Sequence, residues 1–229
     1  MNELVTLQAA VVRCELCSRL REYCTAVAAA RRRAYQEWEY WGKPVPSFGD
    51  PAARVLIVGL APAAHGGNRT GRIFTGDRSG DWLYRALYQT GFASQPTSVS
   101  RDDGLTLRDA YITAVVRCAP PDNKPTLEER ANCRPFFERE IDLLTNVRVV
   151  VALGRIAFDQ YLAVLQKRGL IKSRAKFQFG HNRRFETAPG APLLISSYHP
   201  SQQNTSTGKL TEKMLIDVFR QARKAAGLS

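Results

Sequence analysis

Four short runs of branched and small apolar residues stand out from an otherwise mixed chain: RVLIVGL at 54–60, YITAVVR at 111–117, VRVVVAL at 147–153 and PLLISSY at 192–198. Their apolar positions are continuous rather than alternating, the pattern of strands buried on both faces, and they predict a central, mainly parallel sheet. Between them the periodicity lengthens to that of helices. Residues 79–89 place Leu83, Ala86 and Leu87 on one face, and Leu210, Met214 and Phe219 do the same in a last helix over 209–225. Thr126 with Glu129 forms a capping box that opens a helix carrying Cys133. Residues 1–40 read mostly as helix, interrupted around the first cysteines, and the Pro- and Gly-rich stretch 41–53 reads as an irregular connection. Strands alternating with helices define an α/β class.

Composition narrows the partners more than the fold. At 229 residues, 44% hydrophobic and 24% charged, the chain can bury one sizeable core and is neither disordered nor fibrous, so one domain over 1–229 is expected. No apolar run approaches the ~18 residues needed to cross a bilayer, and no membrane partner is expected. The start, MNELVTLQAAVVRCE, carries acid early and lacks the basic start of a secretory signal, which points to the cytoplasm. A net charge of +12 suits a polyanion such as nucleic acid, although a solvated basic face accounts for it equally well. Arg31, Arg32 and Arg33 beside Trp38, Tyr40 and Trp41 leave the same two readings open, as do the basic stretches 167–176 and 181–184.

Five cysteines, an odd number, fit a closed set of disulfides poorly. Cys14 and Cys17 form a CxxC pair whose thiolates can reach one metal group, and Cys118 and Cys133 can supply a second pair from far along the chain. Spacing alone leaves zinc, an iron–sulfur cluster and ordinary buried thiols open. Cys24 falls outside the pattern, separated from Cys17 by helix.

Two clusters carry candidate chemistry. GLAPAAHGGNRTGRIFTGD, residues 59–77, is a glycine-rich loop after a buried strand, where backbone donors can approach a ligand closely. It matches neither GxGxxG nor a GK[ST] phosphate loop, so no nucleotide cofactor is expected. Within it Phe74 can stack on a planar base or serve the core, and Arg72 can meet a phosphate or lie at the surface. Asp77 can stabilise positive charge or cap the next helix, while His65 and Asn68 are further polar candidates. SSYHPSQQNTSTG, residues 196–208, holds His199, which can donate to an oxygen gaining charge or serve as a structural hydrogen bonder. Asn123, in the loop CAPPDNKPT, can read a base edge or form an Asx turn.

Taken in order, these clusters resemble the uracil-DNA glycosylase superfamily over nearly the whole chain, and most closely its family 5. The resemblance implies a single-domain three-layer α/β/α fold with a four-stranded mainly parallel sheet and a base pocket at the strand ends. It implies a structural [4Fe–4S] cluster on Cys14, Cys17, Cys118 and Cys133, and removal of uracil and other deaminated bases such as hypoxanthine from double-stranded DNA. Asp77 and His199 are then the catalytic pair, Phe74 the stacking platform, and Asn123, Gly59 and Arg72 further pocket residues. Relatives selective for uracil carry polar groups where this chain has Ala63 and Ala114, which implies a broader pocket. Neither motif places a lysine for a Schiff base, so a monofunctional enzyme leaving an abasic site is expected, acting as a monomer; contact with a replication clamp stays open. The opposing expectation is a basic, iron–sulfur or zinc-containing nucleic-acid-binding protein without hydrolysis.

Overall fold

The computed structural model describes residues 3–228. Its centre is one six-stranded sheet in the order β1-β3-β2-β4-β6-β5. The four inner strands are β2 (Val55–Gly59), β3 (Ala110–Ala114), β4 (Val149–Leu153) and β6 (Leu193–Ser197), all parallel; three lie within the apolar runs, and β3 starts one residue before its run and ends three before the run does. Two short strands pair antiparallel at the edges, β1 (Phe48–Gly49) on β3 and β5 (Arg183–Phe185) on β6. β1 falls inside the stretch expected to be irregular and β5 inside one of the basic stretches. Their two or three partly exposed residues carry no burial pattern from which a strand can be read.

Alternate residues of the inner strands face opposite layers. Leu56, Val58, Val150, Ala152 and Leu194 pack under α1 (Glu3–Val12), α2 (Ser18–Ala30), α5 (Leu127–Leu143) and α6 (Arg155–Lys167). Val55, Ile57, Ile112, Val151 and Ile195 pack against α4 (Arg78–Gln89) and α8 (Glu212–Ala225). Two helical layers enclose the sheet, as both faces of a parallel sheet require. The helix starts are chemically marked: Thr126 accepts the Glu129 amide while the Glu129 carboxylate accepts the Thr126 amide, closing the capping box at α5.

Connectivity decides where a site can form. The chain passes from β2 outward to β3, then crosses back over β2 to β4 and on to β6, so successive connections leave β2 in opposite directions. Loops diverge at such a switch point and open a crevice at the carboxyl ends of the strands. The loops after β2, β3 and β6 all emerge there, with two short helices among them, α3 (Gly67–Thr70) and α7 (Gln202–Ser206).

Candidate active site

A cavity of about 350 Å³ lies at those strand ends, a size suited to a single small planar ligand. The loop after β2 contributes Leu60, Ala61, Ala63, Phe74 and Asp77, the loop after β3 contributes Asn123, and the segment after β6 contributes His199, Ser201 and Gln202. Asp77, His199, Phe74, Asn123 and Ala63, dispersed over 137 positions of sequence, therefore share one wall.

Phe74 is held in a conformation its residue type resists. Its φ is +52°, in the left-handed region, and its ring is 7% exposed. Two glycines make room for it. A Cβ on Gly80 would stand 1.8 Å from the Phe74 carbonyl oxygen, and one on Gly59 would stand 2.8 Å from the ring. Gly59 pairs in register with Ala114 at the ends of β2 and β3. Neither residue lines the cavity: Gly59 seats the Phe74 ring, and Ala114 is fully buried in the same core cluster. The His199 ring lies 5.7 Å from that of Phe74, tilted by 31°. Burial lowers the His199 pKa to about 4, so the imidazole is neutral at physiological pH and keeps one N–H to donate. Asn204 donates to the His199 carbonyl at 2.9 Å and holds that segment in place.

Asp77 both caps α4 and lines the cavity. Its Oδ1 accepts the Gly80 amide at 2.9 Å. Burial raises its pKa, while the amides of Gly80 and Ser79 at the helix start act in the opposite direction. Asn123 is preceded by Asp122, and both have positive φ, +57° and +53°, the sharp turn that brings this proline-rich loop to the cavity.

Arg72, expected at a phosphate, lies elsewhere. It is 2% exposed, its guanidinium paired with Asp103 at 2.8 and 2.9 Å and bonded to Ser98 and Thr75. A cation so engaged is a strut for the loop, not a free phosphate contact. The arginine at the cavity is the exposed Arg78, the first residue of α4, which reading by residue type passed over along with Leu60. His65 points the other way, its Nδ1 3.1 Å from the Tyr40 hydroxyl, and Asn68 donates to the carbonyl of Cys24 at 3.2 Å.

A family model for the uracil DNA glycosylase superfamily matches residues 46–223. The chain belongs to that superfamily. It is 50% identical over 215 residues to a type-5 uracil-DNA glycosylase of Thermus thermophilus, covering 94% of each chain. It is 48% identical over 228 residues to one of Mycobacterium bovis, covering 99% of this chain and 83% of the relative. A third, from Pyrobaculum aerophilum, is 46% identical over 218 residues, 95% of this chain and 91% of the relative. Membership in the superfamily agrees with the fold and with the two loop motifs that carried the resemblance.

The second expected site of a superfamily member with four cysteines can be tested on its own geometry. Cys14, Cys17, Cys118 and Cys133 line one small apolar cavity between α2, α5 and the segment after β3. Arg21 Nη1 is buried with no hydrogen-bond partner, and Arg21 lines the same cavity. The Arg117 amide donates to Cys133 Sγ at 3.4 Å and Asn132 Nδ2 to Cys17 Sγ at 3.6 Å. Soft donors, N–H groups aimed at sulfur and an arginine beside Cys118 suit an anionic thiolate-held group. Among the described residues, no three His, Cys, Asp or Glu side chains converge as they would around one ion. Cys24 does not line this cavity; its thiol donates to the Ala119 carbonyl at 3.5 Å.

Proposed function

We propose that the protein is a monofunctional DNA glycosylase that hydrolyses the N-glycosidic bond of uracil, and of hypoxanthine, in double-stranded DNA. The observation that carries the reading is the convergence of the Phe74 ring, the neutral His199 imidazole and the Asp77 carboxylate on one cavity. The target nucleotide leaves the helix and its base enters over Phe74, with Arg78 at the exposed side to meet a phosphate. As the bond between base and sugar breaks, its electron pair moves onto the base, and the His199 N–H donates to the base carbonyl oxygen that gains charge. Positive charge develops on the sugar and is stabilised by Asp77. Water adds to C1′ and gives up one proton, and the departing base anion takes up one in turn, leaving an abasic site and the neutral free base. The amides of Gly80 and Ser79 at the helix start hold the carboxylate in place, while burial raises its pKa.

Ala63 lines the cavity and offers no polar group to water or to a base edge. The side-chain amides at the cavity, Asn123 and Gln202, are exposed rather than buried, which supports acceptance of more than one deaminated base. The four cysteines would hold a [4Fe–4S] cluster, which supplies no step of hydrolysis and ties the N-terminal helices to the sheet.

Single-turnover base release from matched duplexes containing uracil or hypoxanthine, followed by alkali, tests the reading. Release of both bases is expected. Release of uracil alone would remove the broad specificity, and tight binding without release of either would overturn the activity.

A further inference from the structure

Arg69 lies on α3, between the Gly66–Gly67 pair and Gly71 of the loop after β2, and is 3% exposed. Its guanidinium stands over two aromatic rings of the segment after α2, 3.9 Å from the Tyr35 ring centroid and 4.1 Å from that of Trp38. Nε donates to the His65 carbonyl and Nη2 to the Gly76 carbonyl, both at 2.8 Å. One side chain thus ties together the two ends of the loop, and its second anchor is the residue immediately before Asp77. Space for this is strict: a Cβ on Gly76 would meet Nη2 at 2.3 Å, and a Cβ on Gly66 would meet Asp77 Oδ2 at 2.0 Å. Nη1 is buried without a hydrogen-bond partner, and among the described residues Arg69 forms no ion pair, in contrast to Arg72 with Asp103.

We propose that Arg69 is a positioning residue for the reaction, bracing the loop that presents Asp77, with Tyr35 and Trp38 locking it in place. The inference rests on the assignment of Asp77 above. A desolvated guanidinium carries an unscreened charge, and cation–π contact with two rings stabilises it without a neutralising carboxylate. Its charge opposes the rise that burial imposes on the Asp77 pKa. The other groups facing Asp77 are Arg78, Asp81 and Tyr84 from α4 and His199 across the cavity. Burial keeps the Tyr84 phenol neutral, and His199 is neutral above about pH 4, so Asp81 is the remaining titrating neighbour, of opposite influence to Arg69.

The test is the pH dependence of single-turnover uracil release by the full-length protein. Arg69→Met moves the acidic limb to higher pH, so its deficit against the native protein is larger near pH 6 than near pH 9. Arg69→Lys keeps the charge and loses the paired carbonyl bonds, so its deficit is equal at both pH values. Trp38→Leu, in a half-exposed segment, moves the limb in the same direction as Arg69→Met and serves if that variant folds poorly. Asp81→Asn moves it to lower pH. An unshifted limb in both Arg69→Met and Trp38→Leu would overturn the proposal while leaving Asp77 in place. If Asp77→Asn retains the native rate and limb, the assignment of Asp77 fails and the proposal fails with it.

Discussion

At the scale of single residues, the cavity depends on where charge is neutral and where it is not. His199→Ala should lower base release about 10²- to 10³-fold while leaving DNA affinity nearly intact, because the N–H acts on charge that develops only as the bond breaks. Single-turnover rates beside binding isotherms check this, and equal losses in both would place His199 in binding alone. Burial also makes His199 a stability switch. Its folded pKa of about 4 lies below the ordinary 6.5, so the unfolded chain takes up a proton more readily and stability falls as pH drops from about 6.5 toward 4. Thermal midpoints across that window should fall less in His199→Gln. Gly59→Ala tests the platform. The new methyl pushes on the Phe74 ring, which should slow release while costing about 1–3 kcal/mol of stability, measured by denaturant unfolding.

At the scale of elements, a buried polar network joins the layers behind the site. Glu140 of α5, fully buried, accepts Arg117 and Thr113 from the β3 segment and Gln8 of α1, the last at 2.6 Å. Ser47 also accepts from Arg117. Removing one charge from such a pair strands the other, so Glu140→Ala should cost about 3–5 kcal/mol by denaturant unfolding, and Glu140→Leu with Arg117→Met should recover part of that loss. The same segment carries Cys118 and donates its Arg117 amide to Cys133, which places the network directly behind the cysteine cavity. α2 links that cavity to the active-site loop: its N-cap is Cys17, the Cys24 carbonyl accepts from Asn68, and its continuation delivers Tyr35 and Trp38 to Arg69. Cys17→Ser with Cys133→Ser should therefore raise hydrogen exchange in residues 18–42 and in the loop 60–77; unchanged exchange in the loop would separate the two sites.

At the scale of the whole molecule, the four inner strands were legible because strands covered on both faces are dominated by apolar residues, as RVLIVGL and VRVVVAL are between the glycine and turn residues that bound them. The capping box of α5 was legible for a local reason, since Thr126 and Glu129 satisfy each other's amides. The edge strands were not, because their pairing is imposed by the neighbours β3 and β6 and not by their own few residues. The same limit explains the arginines: Arg72 and Arg78 are chemically identical and six positions apart, yet one is buried against Asp103 and the other is exposed at the cavity. The sequence by itself determined the layered α/β class, the two loop motifs and the residue types able to stack, donate and carry charge, since these follow from periodicity and side-chain chemistry. Only the tertiary structure decided which of those groups share a cavity, that His199 is neutral, and that Arg69 stands between two rings beside Asp77. Desolvation and through-space contact arise only when distant segments pack together.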